Sequence, residues 1–340
     1  MQSIYDYNFE ELEAKISSLG LPKYKTQQVF DWLYRKFVTD FSQMTSLSKD
    51  ERRILRDCFA SARNDTLLPS YKKFEGKKTV KYLIAFEDGL SIESVVIQGR
   101  ERKTLCLSSQ IGCSFSCKFC ATGKMGFKRN LTAGEIVIQF VIAHIDGHTI
   151  DNIVFMGMGE PLLNLDNVLK SMDILNDKRG ANFGMRRFTI STAGIITGIR
   201  NLIKAKQKIN LAISLHAAND GKRSYLMPLN KQFPIQELIK IASEYMRVSG
   251  RRITLEYLLL KDFNDTREDA NALAKLVKNK GFHINLIPYN SISNEFQRSV
   301  KEKEFAKILQ TNHINATIRQ SQGFEIAAAC GMLAGEKDAK

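Results

Sequence analysis

The chain has 340 residues, 44% hydrophobic and 25% charged, the balance of an ordinary globular protein and not of a disordered or fibrous one. Lysine and arginine number 50 against 36 acidic residues, and the resulting net charge of +14 favours a polyanionic partner such as RNA or DNA. No apolar run approaches the ~18 residues that a membrane span needs, and Met1-Gln2-Ser3-Ile4-Tyr5-Asp6-Tyr7 lacks the basic-then-apolar order of a secretory signal. Six cysteines, three of them bunched on one loop, point to metal or redox chemistry in a reducing compartment. The expectation is a cytoplasmic protein without a membrane partner, with monomer as the default state.

The first sixty or so residues predict a small helical unit. Leu12, Ile16 and Leu19 share one face before Gly20 and Pro22 end the helix. Val29, Leu33 and Phe37 repeat at helical spacing after a possible Thr26 cap. Ser48 followed by Glu51 reads as a capping box opening a helix with Ile54, Leu55, Cys58 and Phe59, where Cys58 serves as a small buried hydrophobe. Lys23, Lys25, Arg35, Lys36, Arg52, Arg53 and Arg56 make this unit basic.

From about residue 78 the period changes to two. Val80, Tyr82, Ile84 and Phe86 alternate with polar neighbours, and Asp88-Gly89 predicts a hairpin turn into a second strand through Ile92, Glu93 and Ile97. Beyond residue 104 strands alternate with helices: Leu105–Ser108, Ile153–Met156, Phe188–Ser191, Leu211–Leu215, Ile253–Leu260, His283–Pro288 and Ala316–Arg319 are the strand candidates. Thr132 with Glu135 opens one of the intervening helices. Such alternation predicts an α/β fold with βαβ units and a parallel sheet, long enough for a partial TIM-like (β/α) barrel. Polar and glycine residues gather after successive strands, where such barrels carry their active sites.

The most informative stretch is Cys113-Ser-Phe-Ser-Cys117-Lys-Phe-Cys120, a Cys-x3-Cys-x2-Cys loop with no fourth cysteine nearby. Structural zinc and fully protein-held iron–sulfur cubes both want four ligands. Three thiolates on one loop therefore suggest a cluster with one iron open to a substrate or cofactor. Zinc bound through Cys117-x2-Cys120 and completed by His144 or His148 is the alternative on spacing alone.

Several further strings accompany this loop: Leu105-Cys106-Leu107-Ser108-Ser109-Gln110, Gly126-Phe127-x-Arg129-Asn130-Leu131, Gly157-Met158-Gly159-Glu160-Pro161-Leu162-Leu163-Asn164, Ser191-Thr192, Ser214-Leu215-His216, Asn285-Leu286-Ile287-Pro288 and Ala328-Ala329-Cys330-Gly331. In this order they resemble the RlmN/Cfr family of radical S-adenosylmethionine (SAM) RNA methyltransferases over nearly the whole chain, and the Pro161 string looks closer to the RlmN branch. The resemblance implies a radical SAM core of partial (β/α) barrel form over residues 104–295. It also implies a helical basic accessory domain over 1–65, a β-hairpin extension over 66–103, and a C-terminal helix, strand and carrier-cysteine loop over 296–340.

By resemblance, Cys113, Cys117 and Cys120 would ligate one [4Fe-4S] cluster. Gly159, Glu160, Ser191, Ser214, Leu215, His216 and Asn290 would line the SAM pocket. Cys330 would carry the methyl group, Cys106 would resolve a thioether cross-link to RNA by forming a transient disulfide with Cys330, and Glu93 would accept a proton. The implied reaction consumes two SAM per methyl group placed on carbon 2 of adenosine, in the peptidyl-transferase region of 23S rRNA and beside the anticodon in tRNA; the Cfr branch would imply carbon 8. An electron donor such as flavodoxin or ferredoxin is implied too. Candidate phosphate contacts are Lys72, Lys73, Lys77, Lys78, Arg100, Arg102, Lys103, Lys128, Arg129, Arg186 and Arg187. The target adenine would have to unstack to enter a buried pocket. The chain departs from the family wording at Glu325, where aspartate is usual, and at Met332, where glutamine is usual.

Overall fold

A computed structural model of the chain describes residues 2–59 and 66–334. The expected boundary at residue 65 and the tail beyond 334 lie outside the described residues. The first helices are α1 (Phe9–Ser18), α2 (Lys25–Tyr34) and α3 (Lys49–Phe59). Asn8 and Glu11 form a capping box at α1, and Ser48 and Glu51 form the expected one at α3. Thr26 does not cap α2: it lies inside the helix and fully buried, and Tyr24 occupies the cap position without a side-chain bond. Phe37 falls beyond the end of α2, in a left-handed conformation (φ 52°). Cys58 is only half-buried.

The unit is seated on the core through Asp6, whose carboxylate accepts the Gly134 N–H over 2.6 Å. A Cβ on Gly134 would stand 2.7 Å from that oxygen, so the close approach requires glycine.

Strands β1 (Ser70–Glu75), β2 (Thr79–Ala85) and β3 (Ser91–Gln98) form an antiparallel run joined to β4 (Lys103–Cys106). The Asp88-Gly89 turn links β2 and β3 as predicted, with Gly89 at φ 78°. The short pair β5 (Gln110–Ile111) and β6 (Arg129–Asn130) closes a loop containing α4 (Ala121–Lys124). After α5 (Ala133–Ile145), opened by the expected Thr132–Glu135 box, the chain alternates regularly. It passes β7 (Asn152–Phe155), α6 (Leu165–Asn176), β8 (Phe188–Thr192), α7 (Ile196–Ala205), β9 (Asn210–Ser214), α8 (Asp220–Leu226), α9 (Ile235–Ser249) and β10 (Ile253–Leu259). Then follow α10 (Arg267–Val277), β11 (His283–Pro288), α11 (Glu302–Thr311) and β12 (Asn315–Ile318).

Strands β4 and β7 to β12 pair in parallel and in chain order, as repeated βα units produce. The sheet runs from β1 at one edge to β12 at the other and stays open, a partial barrel. Its strands are buried by residues such as Ile153, Ile190, Leu211, Leu255 and Ile284, while α5 is apolar on nearly every side.

The segment after β12 leads away from that edge. Gly323 lies against Thr79 of β2, the Gly331 carbonyl accepts the Ala121 N–H over 2.7 Å, and the Ala334 N–H reaches Glu93 on β3 over 2.8 Å. This segment thus runs from the last strand back to the opposite side of the sheet.

Candidate active site

One cavity opens at the carboxyl ends of the parallel strands. It is lined by Cys113, Cys117, Cys120, Gly159, Glu160, Ser191, Ser214, His216 and Cys330, together with Met156, Thr192, Ala193, Glu256 and Arg319. Three loop cysteines, the glycine-glutamate string, three strand ends and Cys330 therefore converge. Four of the expected site residues stand outside this wall. Leu215 is buried and meets its neighbours through the backbone. Asn290 donates to the Cys330 carbonyl over 3.3 Å. Cys106 is buried at the end of β4, and Glu93 sits on β3.

The cysteine loop is held by its own turn, with the Cys120 N–H on the Cys117 carbonyl at 3.1 Å, and by the Lys118 N–H on the Leu226 carbonyl at 3.0 Å. Burial pushes the Cys113 thiol up to about 11 and the Cys117 thiol higher, with neighbouring cysteine charges adding to both. Clustered thiols that resist ionisation in isolation are the donor set that a cationic iron centre stabilises as thiolates. The residues present thus fit a three-cysteine cluster. Zinc fits poorly. His144 bonds the Phe140 carbonyl of its own helix at 2.9 Å and stacks on Phe37, and His148 lies 3.2 Å from Asp146. Both histidines sit at the end of α5 that feeds the start of β7, opposite the cavity. Among the described residues no group of three or more His, Cys, Asp or Glu side chains is placed to hold a single ion.

Glu160 is buried, and its oxygens accept the Leu162 N–H at 3.1 Å and the Ala193 N–H at 2.7 Å. Burial nevertheless dominates and raises its carboxyl to about 7, against those backbone bonds. Gln110 supports it by accepting the Glu160 N–H at 2.8 Å. Gly159 has φ 96°, and a Cβ there would stand 2.4 Å from the Gln110 side chain. The rest of the string closes the turn, since Asn164 donates to the Ser109 and Leu131 carbonyls, each at 2.8 Å. Burial lowers His216 to about 3, Nδ1 accepts the Leu258 N–H, and the ring is neutral.

Cys106 is pushed up to about 12 by burial, and the charge of nearby Cys330 adds to this. Cys330 in turn raises the Arg319 guanidinium further above its ordinary range, helped by Glu256 and Cys106. No disulfide joins the two cysteines; all six in the chain are free thiols. Glu93 is buried, not solvent-facing, and pairs with Lys81 at 2.7 Å. Glu325 reaches the β1–β2 turn, where it accepts the Lys77 N–H at 3.1 Å.

Sequence reasoning missed several supporting residues. Arg223 is fully buried and donates to the carbonyls of Leu215, Ser214 and Ala193 and to Asn230. It sits on a short helix in a string that carries no motif. Glu256, Arg319 and Lys81 lie on or just after strands and share that silence. Two of the candidate phosphate contacts are engaged elsewhere: Arg129 pairs with Asp88 and Glu135, and Lys73 with Glu75 and Asp146. Arg186 and Arg187 precede β8 and so lie at the end of the sheet away from the cavity.

Comparison with known proteins identifies the family. The radical SAM superfamily model matches residues 107–277, and that of the ribosomal RNA large subunit methyltransferase N-terminal domain matches residues 2–60. A "Probable dual-specificity RNA methyltransferase RlmN" from Pseudothermotoga lettingae is 46% identical over 97% of this chain and 97% of its own. One of the same name from Thermotoga maritima is 43% identical over 98% of this chain and 97% of its own. The crystal structure of a radical SAM methyltransferase from Sphaerobacter thermophilus superposes with a TM-score of 0.94 at 41% identity, covering 99% of this chain and all of that one. No helix among the described residues is long and apolar enough to cross a membrane.

Proposed function

The chain belongs to the RlmN family of radical SAM RNA methyltransferases, and from that premise we propose that it methylates carbon 2 of adenosine in 23S rRNA and tRNA through a Cys330 methyl carrier. The observation that carries this reading is the docking of the Cys330 loop on the cysteine loop, through the Ala121 N–H and the Gly331 carbonyl at 2.7 Å. A carrier sulfur must visit both SAM and RNA, and here it lines the same cavity as Glu160 and the cysteine loop.

Cys113, Cys117 and Cys120 would hold a [4Fe-4S] cluster, and Glu160 with the Gly159 turn would meet the SAM amino group. When bound, the cluster would supply one electron for reductive cleavage of SAM to methionine and a 5′-deoxyadenosyl radical, and would serve as acceptor for one electron from the later adduct. Adenine carbon 2 is electron-poor and bears only hydrogen, so polar methyl transfer to it is unfavourable. A cysteine thiolate is a competent acceptor for the first, polar transfer. Cys330 takes the methyl of one SAM, and S-adenosylhomocysteine leaves. Transfer of a hydrogen atom from the S-methyl group to the 5′-deoxyadenosyl radical, giving 5′-deoxyadenosine, leaves a carbon radical that bonds to adenine carbon 2, and the adduct would give up one electron to become closed-shell. Glu93 then accepts the carbon-2 proton. Cys106 attacks the Cys330 sulfur, the carbon–sulfur bond breaks, the released carbon is protonated to methyl, and a disulfide is left to be reduced. An external donor such as flavodoxin or ferredoxin would supply electrons.

The test is a pair of variants incubated anaerobically with SAM, reductant and ribosomal RNA. Cys106→Ala accumulates a covalent protein–RNA species, and Cys330→Ala forms none. Normal methylation by both variants would overturn the carrier assignment.

A further inference from the structure

Lys81 carries a buried charge that the reaction scheme above leaves unused. It lies on β2, opposite Val95 in the β2–β3 register, so its side chain shares a sheet face with Val95, Glu93 and Cys106. Its Nζ stands 2.7 Å from Glu93 Oε1, with the two side chains 7% and 4% exposed. The Ala334 N–H donates to the other oxygen, Oε2, at 2.8 Å, and the Glu93 backbone is fixed by the Ser108 hydroxyl on its carbonyl at 2.6 Å. The Phe74 ring lies 5.1 Å from the ammonium and limits its movement.

A buried ion pair at this distance fixes the orientation of both side chains, and removing one partner of such a pair is costly. Neither Lys81 nor Glu93 is among the residues that line the cavity, and Lys81 meets the site only through Glu93.

We propose that Lys81 is a positioning residue for the resolution step, fixing the Glu93 carboxylate from one oxygen while the Ala334 amide holds the other. The inference rests on the reading of Glu93 as proton acceptor. The step it serves breaks the carbon-2 C–H bond of the cross-linked adenosine; the proton passes to Glu93, and the bonding electrons stay with the base. Cross-link formation precedes this step and does not use Lys81.

The experiment is a single turnover by full-length, cluster-loaded protein with SAM, reductant and a transcribed 23S rRNA fragment. The covalent protein–RNA species is followed through time on denaturing gels. Lys81→Met and Lys81→Gln form the species at the parental rate but clear it roughly tenfold more slowly or worse, as loss of a proton acceptor demands. Lys81→Arg restores most of the clearance. The glutamine variant keeps a hydrogen-bond donor without charge, so it separates charge from packing should the methionine variant fold poorly. Parental clearance in both uncharged variants overturns the proposal, and so does equal slowing of formation and clearance, the sign of a purely structural lysine. Glu93→Gln is run beside them. If it clears the species at the parental rate, the reading of Glu93 itself falls. If it stalls while the Lys81 variants do not, only the role of Lys81 falls.

Discussion

The residue after the last loop cysteine, Ala121, donates its N–H to the carbonyl of Gly331, the residue after Cys330, over 2.7 Å. Two loops more than 200 positions apart in sequence are thereby fixed side by side, and Thr122 repeats the link by donating to the Leu333 carbonyl at 2.6 Å. The place of the Cys330 sulfur therefore depends on the loop that would hold the cluster.

Gly331 tests that dependence. It has φ 83°, and a Cβ would stand 2.9 Å from the Phe119 carbonyl oxygen. Gly331→Val adds roughly 1–2 kcal/mol of left-handed strain, and the clash pushes the carrier loop away. Iron content and SAM cleavage to 5′-deoxyadenosine persist, while methylated RNA falls at least about tenfold. Equal loss of cleavage and methylation would show that the two loops are not separable in this way.

Glu160 predicts a pH dependence. Its folded value of about 7 lies above the ordinary 4.5, so between those values the folded chain keeps a proton that the unfolded chain has released. Stability of the SAM-free protein is therefore greatest below this window and declines as pH rises through it, by up to ~3 kcal/mol at about 1.4 kcal/mol per unit. Urea titrations from pH 5 to 8 should show a steeper decline in the parent than in Glu160→Gln. SAM affinity moves the opposite way, rising with pH as the carboxylate forms to meet the SAM amino group. Parallel curves for parent and variant would refute both statements.

Arg223 is a buried cation that donates to three carbonyls and the Asn230 amide oxygen, and burial lowers it to about 10. Arg223→Met leaves those acceptors unsatisfied beneath the ends of β8 and β9. A loss of about 3–5 kcal/mol is expected in chemical denaturation. Lys does not substitute well, because one ammonium cannot reproduce the planar fork. A cost below about 1 kcal/mol would mean that the strand ends relax without it.

Glu325→Asp restores the usual family residue and shortens the arm that reaches the Lys77 N–H at 3.1 Å. Glu325 is exposed, so the expected change is within about 1 kcal/mol of stability, with methylation close to the parental rate. A severe loss of methylation would show that the longer arm is needed to seat the carrier loop.

The parts of the fold written in periodic hydrophobicity were legible in the sequence. The parallel strands, the Asp88-Gly89 hairpin and the Thr132 capping box all lie where period and turn chemistry put them, shifted by a residue or two at the ends. Strand β1 was not legible, because Ser70, Tyr71, Lys72 and Lys73 are exposed and carry no alternating pattern. Thr26 misled because threonine is a common cap, yet here tertiary packing buries it within α2. At the site, the cysteine loop and the Gly-Glu-Pro string announced themselves through spacing. Nothing in the sequence pairs Glu93 with Lys81 or with Ala334, 241 residues away, yet both meet its buried carboxylate. Such pairings arise only when the chain folds, as do the Arg223 network and the approach of Arg319 to Cys106 and Cys330.

The most direct measurement is anaerobic reconstitution of the protein, followed by incubation with SAM, a reductant and unmodified 23S rRNA or tRNA, and mass spectrometry of the nucleosides. The account predicts 2-methyladenosine from the parent and none from Cys330→Ala. A product methylated at carbon 8, or no methylated adenosine from either RNA with protein that cleaves SAM, would contradict it.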